Sequence, residues 1–231
     1  MDRIRRLVRD NGLSLAFSGL FMLFLAGQSA AGFFLFNQHR SEHGLPQIGY
    51  VKFIGSGTFF EAVSSNWQAA VLQLFALITF GMILYQKGAP HSRKPERTRS
   101  KAPAGPRSSE TPAVSGGSRK AGSARANAPD WLYRNSLGLA FGALFACTFA
   151  LHVASGTQDY NEQRRLIGQP PVSVGAYLVS PDFWSTTLEV WQAEFFAIAA
   201  YMILSIYLRQ EGSPESKPVS APDEATGQAN E

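Results

Sequence analysis

Charge is scarce in this chain and cysteine nearly absent. Only 16 % of its 231 residues are Asp, Glu, Lys or Arg, where globular domains carry about 25 %. The single cysteine, Cys147, excludes a disulfide framework and a cysteine-based zinc site. No catalytic, nucleotide-binding or metal signature stands out, so the residues say more about architecture and location than about activity. The mean hydropathy of −0.07 averages unlike segments. Four stretches are almost free of charge, and around them lie a basic Ser/Gly/Pro-rich stretch and an acidic tail. One ordinary soluble domain is excluded.

A membrane-crossing helix needs about 20 mainly apolar residues. Leu13 to Phe36, Ala69 to Tyr85 and Leu137 to Ser155 qualify without a charged residue, and Val190 to Leu208 carries only Glu194. Helices suit these spans because lipid offers no partner to backbone N–H and C=O groups. Arg3, Arg5, Arg6 and Arg9 before the first span resemble a signal-peptide n-region, with a small-residue run at Gln28-Ser29-Ala30-Ala31. We read a retained helix instead, because the run is long and the third span is built alike in mid-chain.

Shifted by 124 positions, the chain aligns to itself without a gap, with 23 identities over the 78 positions from residue 11 to 88. Asn11, Leu13, Gly32, Asn37, Arg40, Gly44 and Pro46 fall on Asn135, Leu137, Gly156, Asn161, Arg164, Gly168 and Pro170. Trp67-Gln68-Ala69 falls on Trp191-Gln192-Ala193. This reads as a tandem duplication of a two-span hairpin. An even number of spans per unit makes the repeats parallel, suited to a pseudo-two-fold axis along the membrane normal. The expected fold is therefore all-α: an integral membrane protein of four transmembrane helices in two parallel hairpin repeats. The expected segments are 1–88, the first hairpin; 89–129, a disordered basic linker; 130–212, the second hairpin; and 213–231, a disordered acidic tail.

The two loops between spans hold four of the 21 Lys and Arg residues: Arg40, Lys52, Arg164 and Arg165. The positive-inside rule then puts both termini and the linker in the cytoplasm. Gly44 and Gly168, each followed two residues on by proline, read as helix stops. The first helix of each unit thus overshoots the bilayer, ending near His43 and Ile167. Ser180-Pro181-Asp182 is a strong helix start, and Ser56-Gly57-Thr58 a weaker one. Between stop and start a short helix on the membrane surface, anchored by Tyr50, Phe53 and Tyr177, or an extended segment is expected. Trp67, Trp184 and Trp191 read as interfacial anchors.

Polar groups within spans are costly, and so are functional candidates. Gln28 and His152 hold equivalent places in the first helices, Gln68 and Gln192 in the second, and Glu194 stands alone. These five form a candidate intramembrane polar cluster, able to bind an ion or relay protons. The competing reading is hydrogen bonding between helices that holds the bundle together. A bis-histidine haem is disfavoured because His152 is the only in-span histidine. His39 and His43 are spaced like metal ligands but lack a third, so no metal and no cofactor is expected. The linker from Gly88 to Pro129 has nine Lys or Arg against two Glu, and no aromatic residue. It cannot bury a core, but at a membrane surface it attracts anionic lipid. No nucleic-acid binding is expected.

The pattern Gly168-x-Pro170, then Ser180 before Phe183-Trp184, then Trp191 to Phe195 and Tyr207 to Gln210, resembles an uncharacterised family of small bacterial membrane proteins. The first unit shows a weaker version, with Ala70-Val71 in place of Glu-Phe and Tyr85 in place of Arg. The resemblance implies a bacterial inner-membrane location and carries no activity. The function expected is non-enzymatic: a structural or accessory protein binding lipid, a membrane protein partner or a second copy of itself. The alternative is a small transporter or channel with a polar pathway between the repeats.

Overall fold

The computed structural model describes residue 6 and residues 8–92 and 130–227. Among these the regular elements are all helical: α1 (Gly12–Glu42), α2 (Tyr50–Ile54), α3 (Gly57–Ile83), α4 (Asp130–Arg134), α5 (Ser136–Leu166), α6 (Val174–Leu178) and α7 (Pro181–Tyr207). Helices α1, α3, α5 and α7 are long and apolar enough to cross a membrane. Leu13, Phe17, Phe24, Phe80, Phe196 and Ile203 on them are all exposed, as expected of side chains whose solvent is lipid.

The elements recur at a spacing of 124 residues. α1 and α5 are both 31 residues long, α2 and α6 both five, α3 and α7 both 27. The bends that join them are held by the same bonds. Gly44 and Gly168 end α1 and α5 at φ 70° and 71°, a left-handed conformation that glycine adopts at little cost. Arg40 Nε donates to Pro46 O at 2.9 Å, and Arg164 Nε to Pro170 O at 2.8 Å. Asn37 clasps the chain at Ile48, donating to its carbonyl at 3.1 Å and accepting from its N–H at 2.8 Å. Asn161 clasps Val172 likewise, at 3.0 and 2.7 Å. Ser56 and Ser180 then cap α3 and α7, their Oγ atoms accepting from the N–H of Phe59 and Phe183.

Two compact units are distinguished. One comprises Met1–Asn66 with Thr148–Thr186, the other Trp67–Cys147 with Thr187–Glu231. Their limits cut across the hairpins. The first unit is built on aromatic rings. Phe53 of α2 packs on Phe36 and Phe59 at 5.5 and 5.6 Å. Tyr177 of α6 packs on Tyr160 and Phe183 at 5.4 and 5.3 Å. Both central rings are 2 % exposed. The short helices are therefore present, but Phe53 and Tyr177 are core plugs rather than surface anchors. Tyr50 is half exposed, and its hydroxyl bonds Ser29 Oγ at 2.7 Å.

In the second unit Gly142 and Gly138 of α5 lie against Phe75 and Ile78 of α3. A methyl group added at Gly142 would stand 3.3 Å from Phe75, the close approach that small residues permit. Residues 213–227 run through turns tied by side chains. Lys217 is buried and donates to Asp223 O at 2.9 Å, Arg209 pairs with Asp223 at 2.8 Å, and Lys87 with Glu224 at 3.1 Å. Burial lowers the pKa of Lys217. Serines and prolines supply these turns. Residues 228–231, and linker residues 93–129, lie outside the described residues.

Candidate functional site

In the first unit, α3 and α5 bring polar side chains face to face. His152 is fully enclosed. Its ring stacks on Phe183 at 5.4 Å, and its Nε2 stands 3.6 Å from Glu61 Oε1. That is within ion-pair range but too long for a hydrogen bond. Neither ring nitrogen has a hydrogen-bond partner. Around the pair, Ser64 Oγ meets Ser155 Oγ at 3.1 Å, and Thr58 Oγ1 donates to Asp159 Oδ1. Asp159 also accepts from Gln163 at 2.7 Å. Gly57 makes the approach possible: a methyl group there would stand 2.9 Å from the Asp159 backbone nitrogen.

A cleft of about 450 Å³ opens beside this cluster in the same unit. Phe36, His39, Arg40, Asp159, Glu162 and Arg164 are among its lining residues. Arg40 and Glu162 bridge it at 3.2 Å, and the Arg164 guanidinium lies over the Tyr160 ring. Among the described residues no group of three His, Cys, Asp or Glu is placed to hold a metal ion.

The five residues singled out from the sequence fall into different settings. Gln28 and Gln192 are exposed. Gln68 is fully buried, and its Oε1 accepts from Trp191 Nε1 at 2.9 Å while its Nε2 is unpartnered. Glu194 is half-buried and takes part through its backbone carbonyl, which accepts from Gln73 at 3.0 Å. His152 faces Glu61. No hydrogen bond joins any two of the five. Trp67 and Trp184 are 38 % and 43 % exposed, whereas the indole N–H of Trp191 is turned to Gln68.

Glu61 and Asp159 escaped the sequence reading because both lie just beyond the charge-free runs. α3 begins at Gly57, twelve residues before the run starting at Ala69, and so carries Glu61 on the same helix. The helix-start signal at Ser56 was the clue that could have brought Glu61 in.

These features define a multi-pass helical membrane protein with an enclosed imidazole beside a half-buried carboxyl group. Residues 4–228 match the family described as a domain of unknown function, DUF6766, and the chain belongs to that family. No curated protein and no solved structure matches the chain.

Proposed function

We propose that this chain is a non-enzymatic structural or accessory protein of a bacterial inner membrane that binds a protein partner or anionic lipid. Both termini and the basic linker lie in the cytoplasm, and the two hairpins stand as parallel repeats. The observation that carries this reading is how the polar atoms of the long helices are used. Gln68 is bonded to Trp191, Gln73 to the backbone of Glu194, Ser64 to Ser155 and Ser29 to Tyr50. Such bonds join helices and contribute about 0.6–2 kcal/mol each in a membrane. They are spent on assembly rather than turned toward a substrate. Native mass spectrometry of protein extracted gently from its host membrane tests the reading. A stoichiometric partner or a retained anionic lipid is expected, and a bare, lipid-free species would count against it.

One observation favours a second reading, a proton or ion pathway. A buried polar group without a partner costs about 1–3 kcal/mol, and ionisable groups at membrane depth mark pathways more often than they stabilise. The enclosed, unbonded ring of His152 beside Glu61 is such a group. Proteoliposome flux with wild type, Glu61→Gln and His152→Ala separates the two readings. Flux lost in variants that remain assembled supports a pathway, and no wild-type flux at all removes it.

A further inference from the structure

The contact between α3 and α5 is built from residues whose counterparts 124 positions away are left uncovered. On α3, Gly57, Thr58 and Glu61 face Gln158, Asp159 and His152 of α5. The counterparts are Pro181, Asp182 and Ser185 on α7, and Phe34, Leu35 and Gln28 on α1. All six of these are exposed, Phe34 at 70 % and Leu35 at 55 %. The chain thus makes one helix–helix contact of this kind and leaves both halves of its equivalent open.

We propose that these two open faces bind each other between copies of this chain, α1 of one copy docking on α7 of the next in the register that α5 and α3 use within it. The occupant is a second copy because each face is the repeat-equivalent of one half of a contact already formed. The match of side chains agrees. Gln28 falls opposite Ser185 where His152 falls opposite Glu61, so an amide and a hydroxyl that can hydrogen-bond stand where an imidazole and a carboxyl group do. Leu35 replaces Asp159 and falls opposite Asp182, so the rest of the α1 face is apolar and the Thr58–Asp159 bond has no counterpart in this docking. A glutamine left facing hydrocarbon is costly, and this docking gives it a partner. The contact is head-to-tail, so it closes as a ring about the membrane normal, two copies being the smallest ring. This inference rests on the reading of the chain as partner-binding and names that partner.

Cysteine cross-linking in native membranes tests it. In a Cys147→Ala background, full-length chains carrying Gln28→Cys and Ser185→Cys are co-expressed with different tags and oxidised. A disulfide-linked product containing both tags is expected only when both cysteines are present. Ser64→Cys with Ser155→Cys in one chain is the control for the intramolecular contact, and it closes at monomer mass. If the control closes and the mixed pair does not, the proposal is overturned. It is equally overturned if Gln28→Cys links to itself, or if Gln28→Cys and Ser185→Cys in one chain close at monomer mass. Native mass spectrometry of the unaltered protein separates this failure from that of the wider reading. A different bound protein, or lipid on a single copy, refutes self-docking while sustaining partner or lipid binding. A bare monomer refutes both.

Discussion

Nε2 of His152 stands 3.6 Å from Oε1 of Glu61, in a setting that leaves the imidazole wholly enclosed. The ring also lies on Phe183, so the histidine is packed as an aromatic residue as well as paired with an acid. The two roles are separable. His152→Phe keeps the volume and the ring contact and removes the unpartnered nitrogens, whereas His152→Ala leaves a cavity. We expect His152→Ala to cost about 3–5 kcal/mol, as for deleting a buried ring, and His152→Phe to cost much less. Thermal unfolding in detergent compares them. Equal losses would show that the pairing with Glu61, not the packing, stabilises this site.

The Asn37 and Asn161 clasps each satisfy a backbone N–H and C=O at a chain reversal. Asn161→Ala leaves both groups of Val172 without their partner and should cost about 1–3 kcal/mol. Asn161→Asp keeps the acceptor but loses the donor, and should fall between wild type and alanine. Hydrogen exchange at the Val172 amide reads the effect directly. Unchanged protection in Asn161→Ala would contradict the clasp.

Two glycines at helical positions should respond with opposite sign. A methyl group on Gly156 would lie 2.5 Å from the Tyr177 hydroxyl, so Gly156→Ala overpacks the core and should cost about 1–3 kcal/mol. Gly19 has no neighbour within 4 Å of such a group, and its repeat counterpart is Ala143. Gly19→Ala should therefore be neutral or stabilising by up to about 1 kcal/mol. Melting temperatures of the two variants decide it.

Stability should fall at alkaline pH in a way that depends on Tyr177. Burial raises its pKa above the ordinary value, with the charges of Glu61, Asp182 and Asp159 adding to the effect. The unfolded chain releases this phenolic proton near pH 10 while the folded chain retains it. The contribution is thus complete below about pH 10 and is lost as pH rises beyond it. Tyr177→Phe should flatten the alkaline limb of the stability profile. An identical limb in the variant would rule Tyr177 out as its source.

The bond from Trp191 to Gln68 predicts coupling. In a double-mutant cycle of Trp191→Phe and Gln68→Leu, the interaction energy should be about 0.6–2 kcal/mol. A coupling near zero would mean that the indole acts by packing alone.

Long helices were legible in the sequence because apolar length, glycine stops and serine starts act locally. Gly44, Gly168, Ser56 and Ser180 mark the ends that the structure shows. The site was less legible because it depends on which face meets which neighbour. Gln28 and His152 occupy equivalent positions in similar sequences, yet one is exposed and the other enclosed. Nothing in the local pattern around either residue encodes that difference. It arises from α3, whose Glu61 and small Gly57 receive α5. Phe53 and Tyr177 looked like lipid anchors because an aromatic in a short apolar segment fits either role. Gly32 and Gly156, which make room beside those rings, were the signal that favoured burial.

Each clasp between an asparagine and the strap beyond its helix spans only eleven residues of chain. Contacts of such short separation form early, because little loop entropy opposes them. The reversal after α1 can therefore set while α3 is still being synthesised, and that after α5 before α7 is complete. The chain would then enter the bilayer as two corners already bent, each needing only its returning helix.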